Sequence, residues 1–269
     1  MRGLKIILGL FTVLLILIDS GTAQPTFSLK NKWLLPCDFF ACDPLGNLYT
    51  VDNYKVKKID SLGNAIAYYD QSVYGKIASI DISNPLKIMV FYAYRNKVQF
   101  LDRSLSPVDS EIDFFSLLSE TISGCSTSYS NGLWAFSENG SKLYRLNQQA
   151  ETTSKFENIS QWLPEQFKTK QLLESGDYLY IGDPDHGIVV FDRWGSLIHK
   201  IPMTYTASFS IVSNLIFYPR EGNIFYYNPQ NFEENMFFKA TDTIKQAVVT
   251  KSNLYLQMRN DTIFRYSIE

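Results

Sequence analysis

Short runs in which apolar and polar residues alternate recur along this chain, each followed by a polar turn and a second run. The first pair, LYTVD and VKKID, lies within residues 46–64 and is closed by Leu-Gly-Asn. Alternation with a period of two is typical of a half-buried β-strand, so each pair predicts a β-hairpin. A single hairpin would suit an irregular β protein, whereas recurrence indicates a repeat.

Six such pairs align along the chain. Their equivalent apolar positions are Leu48, Ile88, Leu133, Leu179, Ile216 and Leu254. Most pairs also have a strand-like run upstream and a weaker one downstream, which gives four strands in roughly 40 residues. That is the unit of a β-propeller blade. Long helical periodicity is absent apart from a short turn predicted at residues 161–168, which argues against an α/β fold.

The sixth copy ends at TIFRYSIE without a fourth strand of its own. A strand-like run, TFSLKNKWLL at residues 26–35, precedes the first blade and is predicted to complete the last one. Such closure removes sheet edges that would otherwise invite aggregation. The predicted fold class is all-β, a six-bladed β-propeller closed by the N-terminal strand of the mature chain; five blades remain the alternative count.

Residues 1–23 have the layout of a secretory signal peptide. Arg2 and Lys5 precede an apolar run at residues 6–18, and small residues precede a predicted cut at Ala23/Gln24. The run is shorter than the roughly 20 residues of a membrane-spanning helix; an uncleaved anchor is the alternative. We therefore expect one propeller domain at residues 24–269, periplasmic or secreted, with no transmembrane segment after cleavage.

Charge and cysteine content narrow the classes of partner and fold. A formal net charge of −2 argues against general electrostatic attraction to nucleic acid or an anionic membrane. Three cysteines cannot all pair within one chain. Cys37 and Cys42 are close enough in sequence for a local disulfide, with buried unpaired thiols as the alternative.

The unit GNLYTVDNYKVKKIDSLGN at residues 46–64, echoed by YLYIGDPDHGIVVFDRWGS at residues 178–196, resembles the NHL and YVTN-type propeller repeats. In those repeats a Gly-x-hydrophobic-Tyr-hydrophobic-x-Asp strand leads to a second strand that ends in Asp and a Gly turn. The third, fifth and sixth copies lack the Asp-x-x-Gly ending. With the signal peptide and composition, the chain also resembles exported propellers of Bacteroidota, a class that includes the plug-like subunit of the type IX secretion translocon.

The sequence offers little catalytic chemistry. Only His186 and His199 are present, too few for a metal site built from several imidazoles. The segment GDPDHG at residues 182–187 could hold a cation, but the same residue types suit a tight turn. Inward-facing carboxylates are predicted only at Asp81, Glu174 and Asp43. We assign no catalytic, cofactor-binding or metal-binding residue and expect no enzyme.

Two connections between blades, residues 116–124 and 157–170, are longer than a turn needs. The second carries Trp162, Leu163 and Phe167, which either pack on the rim or contact a partner. In a propeller, the loops from the second strand to the third and the loops between blades are expected to share one face. Further contact residues are predicted on that face, at Tyr94, Arg95, Asp185, His186 and Tyr205.

These features predict a non-catalytic, exported propeller that binds a protein partner as a scaffold in an envelope or secretion complex. The alternatives are a propeller hydrolase or lactonase with a divalent metal at the channel mouth, and a glycan-binding lectin.

Overall fold

The computed structural model describes residues 25–269. The predicted signal peptide and its cleavage site lie outside these residues. The described chain forms six four-stranded antiparallel sheets, which are the six blades of a β-propeller. The predicted fold class and blade count are therefore confirmed. Within residues 25–269, no helix is long and apolar enough to cross a membrane.

The first three blades use strands β2 to β13 in chain order. Blade 1 comprises β2 (Phe39–Cys42), β3 (Leu48–Asp52), β4 (Lys55–Ile59) and β5 (Ala65–Asp70). Blade 2 comprises β6 (Ser79–Asp81), β7 (Ile88–Tyr92), β8 (Lys97–Leu101) and β9 (Pro107–Asp113). Blade 3 comprises β10 (Gly124–Ser128), β11 (Gly132–Ser137), β12 (Lys142–Leu146) and β13 (Thr152–Glu157).

The last three blades continue the order, and the final one takes its outer strand from the start of the described chain. Blade 4 comprises β14 (Gln171–Ser175), β15 (Tyr178–Asp183), β16 (Gly187–Asp192) and β17 (Leu197–Ile201). Blade 5 comprises β18 (Ser210–Val212), β19 (Leu215–Arg220), β20 (Asn223–Asn228) and β21 (Glu233–Lys239). Blade 6 comprises β22 (Ile244–Val249), β23 (Asn253–Met258), β24 (Thr262–Ile268) and β1 (Phe27–Leu34).

Two sets of contacts close the ring, one on its outside and one near its centre. On the outside, β1 pairs antiparallel with β24, from Phe27 opposite Ile268 to Leu34 opposite Thr262. On the inside, the Gln246 side-chain amide accepts from the backbone nitrogen of Phe40 and donates to its carbonyl oxygen, both at 2.9 Å. The predicted closure by the N-terminal strand is confirmed.

The hydrophobic core lies between neighbouring blades. Tyr49 and Val51 of blade 1, for example, pack with Ile88 and Tyr92 of blade 2. Most second strands are buried along their length because they are covered on both faces by the adjacent blades. This explains why their sequences are more continuously apolar than the outer strands.

The Asp-x-x-Gly ending of the clear repeats is a turn device between the third and fourth strands. The Asp60 carboxylate accepts from the backbone nitrogens of Leu62 (2.9 Å) and Asn64 (2.8 Å). Gly63 has φ of +92° and lies against the Trp33 indole of the closing strand. Asp60 is therefore structural, as the repeat interpretation requires.

Two short helices lie in the long connections. A 3₁₀ helix at Ile159–Trp162 overlaps only the beginning of the turn predicted at residues 161–168. The helix α1 (Phe114–Leu118) was not predicted, because five residues are too few to show a 3.6-residue period. The Asp113 carboxylate caps it by accepting from the backbone nitrogen of Ser116 at 3.1 Å.

The three cysteines lie within the described residues, and all are free thiols. Cys37 and Cys125 are buried, whereas Cys42 is half-buried. Burial raises the pKa of the Cys37 thiol to about 11, so this thiol stays protonated and weakly nucleophilic at neutral pH.

Candidate functional site

One face of the ring, called the top face here, carries the turns between second and third strands together with the connections between blades. Backbone hydrogen bonds join these segments: Phe114 donates to Asn96 (3.0 Å), Ile159 to Ser141 (3.0 Å), and Tyr205 to Pro184 (3.0 Å). The prediction that these two kinds of loop share a face is therefore correct. The opposite, bottom face carries the turns between first and second strands and between third and fourth strands.

Four exposed apolar side chains lie in the top-face segments of blade 2 and in the connections before and after it. These are Val73, Tyr94, Phe115 and Leu117, which are 69%, 85%, 68% and 43% exposed, respectively. We call them the blade-2 patch.

Contacts of neighbouring residues fix the segments that carry the patch onto blade 2. Next to Val73, the Tyr74 ring meets the Tyr92 ring edge to face at 5.2 Å, which ties this connection to β7. On the other side, the bond from Phe114 to Asn96 places α1 beside the turn that carries Tyr94. The patch therefore stands on a packed base.

The charges around the patch are mostly neutralised. Lys97 forms ion pairs with Glu111 and with Asp113, the latter at 3.4 Å, and Tyr74 donates its hydroxyl to Glu111. The hydrogen bonds from Lys97 and Tyr74 lower the pKa of Glu111. Arg95 is exposed and lies 5.7 Å from the Tyr94 ring, and it has no ion pair in the described part of the chain. The patch is thus apolar with a cationic margin.

The connection between blades 3 and 4 divides its apolar residues between core and surface. Trp162 is 37% exposed, and the Lys200 ammonium lies 5.8 Å from its ring. Leu163 is half-buried against the core between these blades, and Phe167 is 5% exposed within it. Trp162 therefore remains available to a partner, whereas Phe167 is buried in the core between blades 3 and 4.

The GDPDHG segment forms the turn between β15 and β16. The buried Asp183 carboxylate accepts from the backbone nitrogens of Lys168 (2.7 Å) and Asp185 (3.0 Å) and contacts His186 Nδ1 at 2.7 Å. Gly187 has φ of +102°, as expected for a turn glycine. Within residues 25–269, no group of three His, Cys, Asp or Glu side chains is placed to hold a metal ion. The arrangement is that of a turn.

The predicted contact residues fall into three groups by exposure. Tyr94, Arg95, Trp162 and Asp185 are exposed, Leu163 and His186 are half-buried, and Phe167 and Tyr205 lie in the core. Tyr205 packs edge to face on Phe209 at 5.8 Å, over Gly182. Because the Phe167 and Tyr205 side chains are buried, they offer almost no surface to a partner.

Sequence reasoning did not select Val73, Phe115 or Leu117. Its only signal was the unexplained length of the connection at residues 116–124, which contains Leu117 and begins directly after Phe115. Residues next to buried positions in a short helix or turn show no period that separates exposed from buried side chains, so the sequence alone did not indicate them.

The inward-facing carboxylates join blades or organise turns. The Asp81 carboxylate accepts from the Thr127 backbone nitrogen (2.8 Å) and hydroxyl (2.7 Å) in the next blade. Glu174 accepts from Trp134 Nε1 at 2.6 Å. Asp43 accepts from the Asn47 backbone nitrogen at 2.8 Å. The geometry assigns each of them a structural contact.

The buried Asp183 gives a prediction about pH. Burial opposes its ionisation, but hydrogen bonds from Lys168, Asp185 and His186 outweigh burial and hold its pKa below the ordinary value. A lowered folded pKa means that its stabilisation is complete above the unfolded pKa of about 3.9 and is lost as the pH falls through the folded value. We expect Asp183→Asn to reduce the free energy of unfolding at pH 7 by about 1–3 kcal/mol. In urea titrations from pH 7 to pH 2, this difference should shrink as the pH falls.

Asp185→Asn is the matched control, since it makes the same change on an exposed residue of the same turn. It should alter stability by no more than about 0.5 kcal/mol. Equal losses in the two variants, or a loss in Asp183→Asn that is constant with pH, would contradict the role assigned to Asp183.

The comparisons with known proteins support the fold but identify no family. No protein-family model matches the sequence, and no curated protein matches it. Among solved structures, catalytically inactive virginiamycin B lyase from Staphylococcus aureus with quinupristin is similar at a TM-score of 0.62 and 12% identity, over 90% of this chain and 99% of that one.

Two further structures are similar at lower scores. BamB from Moraxella catarrhalis has a TM-score of 0.53 and 11% identity, over 84% of this chain and 81% of that one. BBS1N in complex with ARL6DN has a TM-score of 0.56 and 8% identity, over 83% of this chain and 75% of that one. Identities this low show the propeller fold alone, and the fold does not determine a function.

Proposed function

We propose that this protein is an exported, non-catalytic propeller that binds a protein partner through its top face. The observation that carries the proposal is the blade-2 patch, four exposed apolar side chains on the top-face segments of blade 2 and the two connections that flank it. Contiguous exposed apolar surface commonly marks an interaction site, and Tyr and Arg are enriched where interfaces are strongest. Tyr94 with Arg95 at its margin supplies both residue types.

The similar structures are consistent with this role but do not distinguish it from an enzymatic one. One of them holds BBS1N in complex with another protein, ARL6DN, while another is a lyase. The turn geometry of Asp183 and the structural contacts of Asp81 and Glu174 favour binding over a hydrolase or lactonase. In its finer form, the proposal places the protein in the periplasm as a subunit of an envelope or secretion complex, of the type IX plug-like class.

Affinity capture from the native envelope, with matched surface variants, tests the proposal. We expect the wild-type protein to recover a stoichiometric partner, and the double variant Tyr94→Ala/Phe115→Ala to lose it. The loss should exceed tenfold in recovered partner, because removal of two central aromatic anchors costs more than about 1.4 kcal/mol.

Leu62→Ala is the control, since Leu62 is an apolar residue that is 80% exposed in the turn between β4 and β5, on the bottom face. It should capture the partner as the wild type does. Recovery of the same partner by the double variant, with an unchanged melting temperature, would overturn the assignment of the blade-2 patch. Co-purification of type IX components would support the finer form, and their consistent absence would refute it.

A further inference from the structure

A cavity of about 400 Å³ opens on the bottom face, away from the blade-2 patch. It is centred on the turn between the first and second strands of blade 3 and is bounded by the corresponding turns of blades 2 and 4. Its lining carries hydroxyl, amide, aromatic and carboxylate groups: Ser83, Asn84, Thr127, Tyr129, Asn131 and Glu174. A concave site with several convergent polar groups is the usual form of a small-ligand site.

We propose that this cavity binds a neutral saccharide, with a sugar ring stacked on Tyr129. This site is separate from the protein-binding role proposed for the top face. The ligand class follows from three properties of the lining: its charge, its hydrogen-bonding groups and its exposed rings.

The charged groups at the cavity are already engaged by protein partners. The Lys87 ammonium lies 3.0 Å from the Asp109 carboxylate and 4.3 Å from the centre of the Phe100 ring. Glu174 Oε2 accepts from Trp134 Nε1 at 2.6 Å and from the Tyr129 backbone nitrogen at 3.2 Å. A strongly charged ligand would find no uncommitted counter-charge among these lining groups, so a neutral polar ligand is favoured.

The remaining polar groups suit a ligand with many hydroxyls. The Ser83 and Thr127 hydroxyls lie 2.8 Å apart, and the Asn84 and Asn131 side-chain amides face each other at 3.4 Å. Hydroxyls and amides both donate and accept hydrogen bonds, as sugar hydroxyls do. The Thr127 hydroxyl is oriented by its bond to Asp81, so part of this polar surface is pre-organised.

Two exposed aromatic rings mark the rim. Tyr129 is 66% exposed and Trp194 is 71% exposed. The Arg193 guanidinium lies 5.5 Å from the Tyr129 ring and 5.8 Å from the Trp194 ring, and it is held in an ion pair with Asp177. Both rings therefore lie close to the Arg193 guanidinium, with Tyr129 in the cavity lining and Trp194 outside it. Exposed flat rings beside a hydroxyl-rich cavity can stack on the apolar face of a sugar while its hydroxyls bond to the cavity.

Calorimetric titration of the purified protein with chitotetraose, cellotetraose and maltotetraose tests the inference. We expect at least one of these neutral oligosaccharides to bind, and Tyr129→Ala to weaken that binding about tenfold, or roughly 1.4 kcal/mol. Tyr129→Trp should retain it, since the ring is preserved. Trp194→Ala should weaken binding of the tetrasaccharide more than that of the matching disaccharide, because Trp194 lies outside the cavity lining and can contact only a longer ligand.

Tyr94→Ala, on the opposite face, is the control and should bind as the wild type does. Circular dichroism and melting temperature establish that each variant is folded. Absence of binding by all three oligosaccharides at millimolar concentration would overturn the inference. Binding that survives both Tyr129→Ala and Trp194→Ala unchanged would also overturn it, because the sugar would then lie elsewhere.

Discussion

Deletion of residues 25–35 should leave a chain that no longer unfolds in one cooperative transition. The reason is that β1 connects three blades. It pairs with β24 of blade 6, its Phe27 ring meets Phe237 of blade 5 at 5.1 Å, and its Trp33 lies against Gly63 of blade 1. We expect the free energy of unfolding to fall by more than roughly 5 kcal/mol, which is the lower end of the range for a whole domain. Urea titration followed by tryptophan fluorescence and circular dichroism measures it.

A circular permutant separates loss of closure from mere shortening. The backbones of Thr26 and Glu269 donate to each other at 3.1 and 3.0 Å, so these residues already form the pair that would close a hairpin. Joining Glu269 to Thr26 through Asn-Gly, with new ends between Pro36 and Cys37, makes β24 and β1 a continuous hairpin. The permutant should unfold cooperatively, within about 2 kcal/mol of the original chain. If the truncated chain unfolds in a single transition with an unchanged midpoint urea concentration, then β1 is dispensable.

Gly187→Ala should reduce the free energy of unfolding by more than about 3 kcal/mol. Gly187 has φ of +102°, where a side chain is strained. A Cβ there would also overlap the carbonyl oxygen of Ile201 and come within 2.9 Å of the Met203 backbone nitrogen. Because both obstacles are backbone atoms, relief requires the end of β17 to move. Urea titration at pH 7 measures the loss.

Gly176→Ala is the matched control. Gly176 also has positive φ, at +60°, but a Cβ there would meet no atom within 4 Å. It should cost only the left-handed backbone penalty of about 1–2 kcal/mol. Equal losses in the two variants would show that φ alone, and not the close approach to Ile201, limits residue 187.

The degenerate repeats show why the motif was visible in only some blades. Asn147 accepts from the backbone nitrogens of Gln149 (3.0 Å) and Glu151 (2.9 Å), as Asp60 does in its own turn. Ala150 takes φ of +61° where a glycine would be expected. The turn geometry is therefore kept while the residues that usually specify it are replaced. A search for Asp-x-x-Gly therefore misses this turn, because the hydrogen bonds and backbone angles are kept while the residue types change.

The candidate sites divide in a similar way. The connection that carries Trp162 was predicted as a place for partner contact, and Trp162 is indeed exposed. The bottom-face cavity was not predicted, because it is assembled from turns of three blades, and Tyr129 and Trp194 are 65 residues apart in sequence. Whether an aromatic residue in a connection is exposed depends on whether the next blade packs against it. The local sequence pattern does not determine this packing.

Local sequence pattern was enough to predict the six hairpins, the four strands of each blade and the use of the first strand to complete the last blade. These follow from a period of two and a repeat of about 40 residues, which are local properties. By contrast, the burial of Phe167 and Tyr205, the exposure of Tyr94 and Phe115 on one face, and the position of Tyr129 beside a polar cavity follow from the assembled ring. The physical reason is that packing between blades joins residues distant in the chain, and burial is set by that packing.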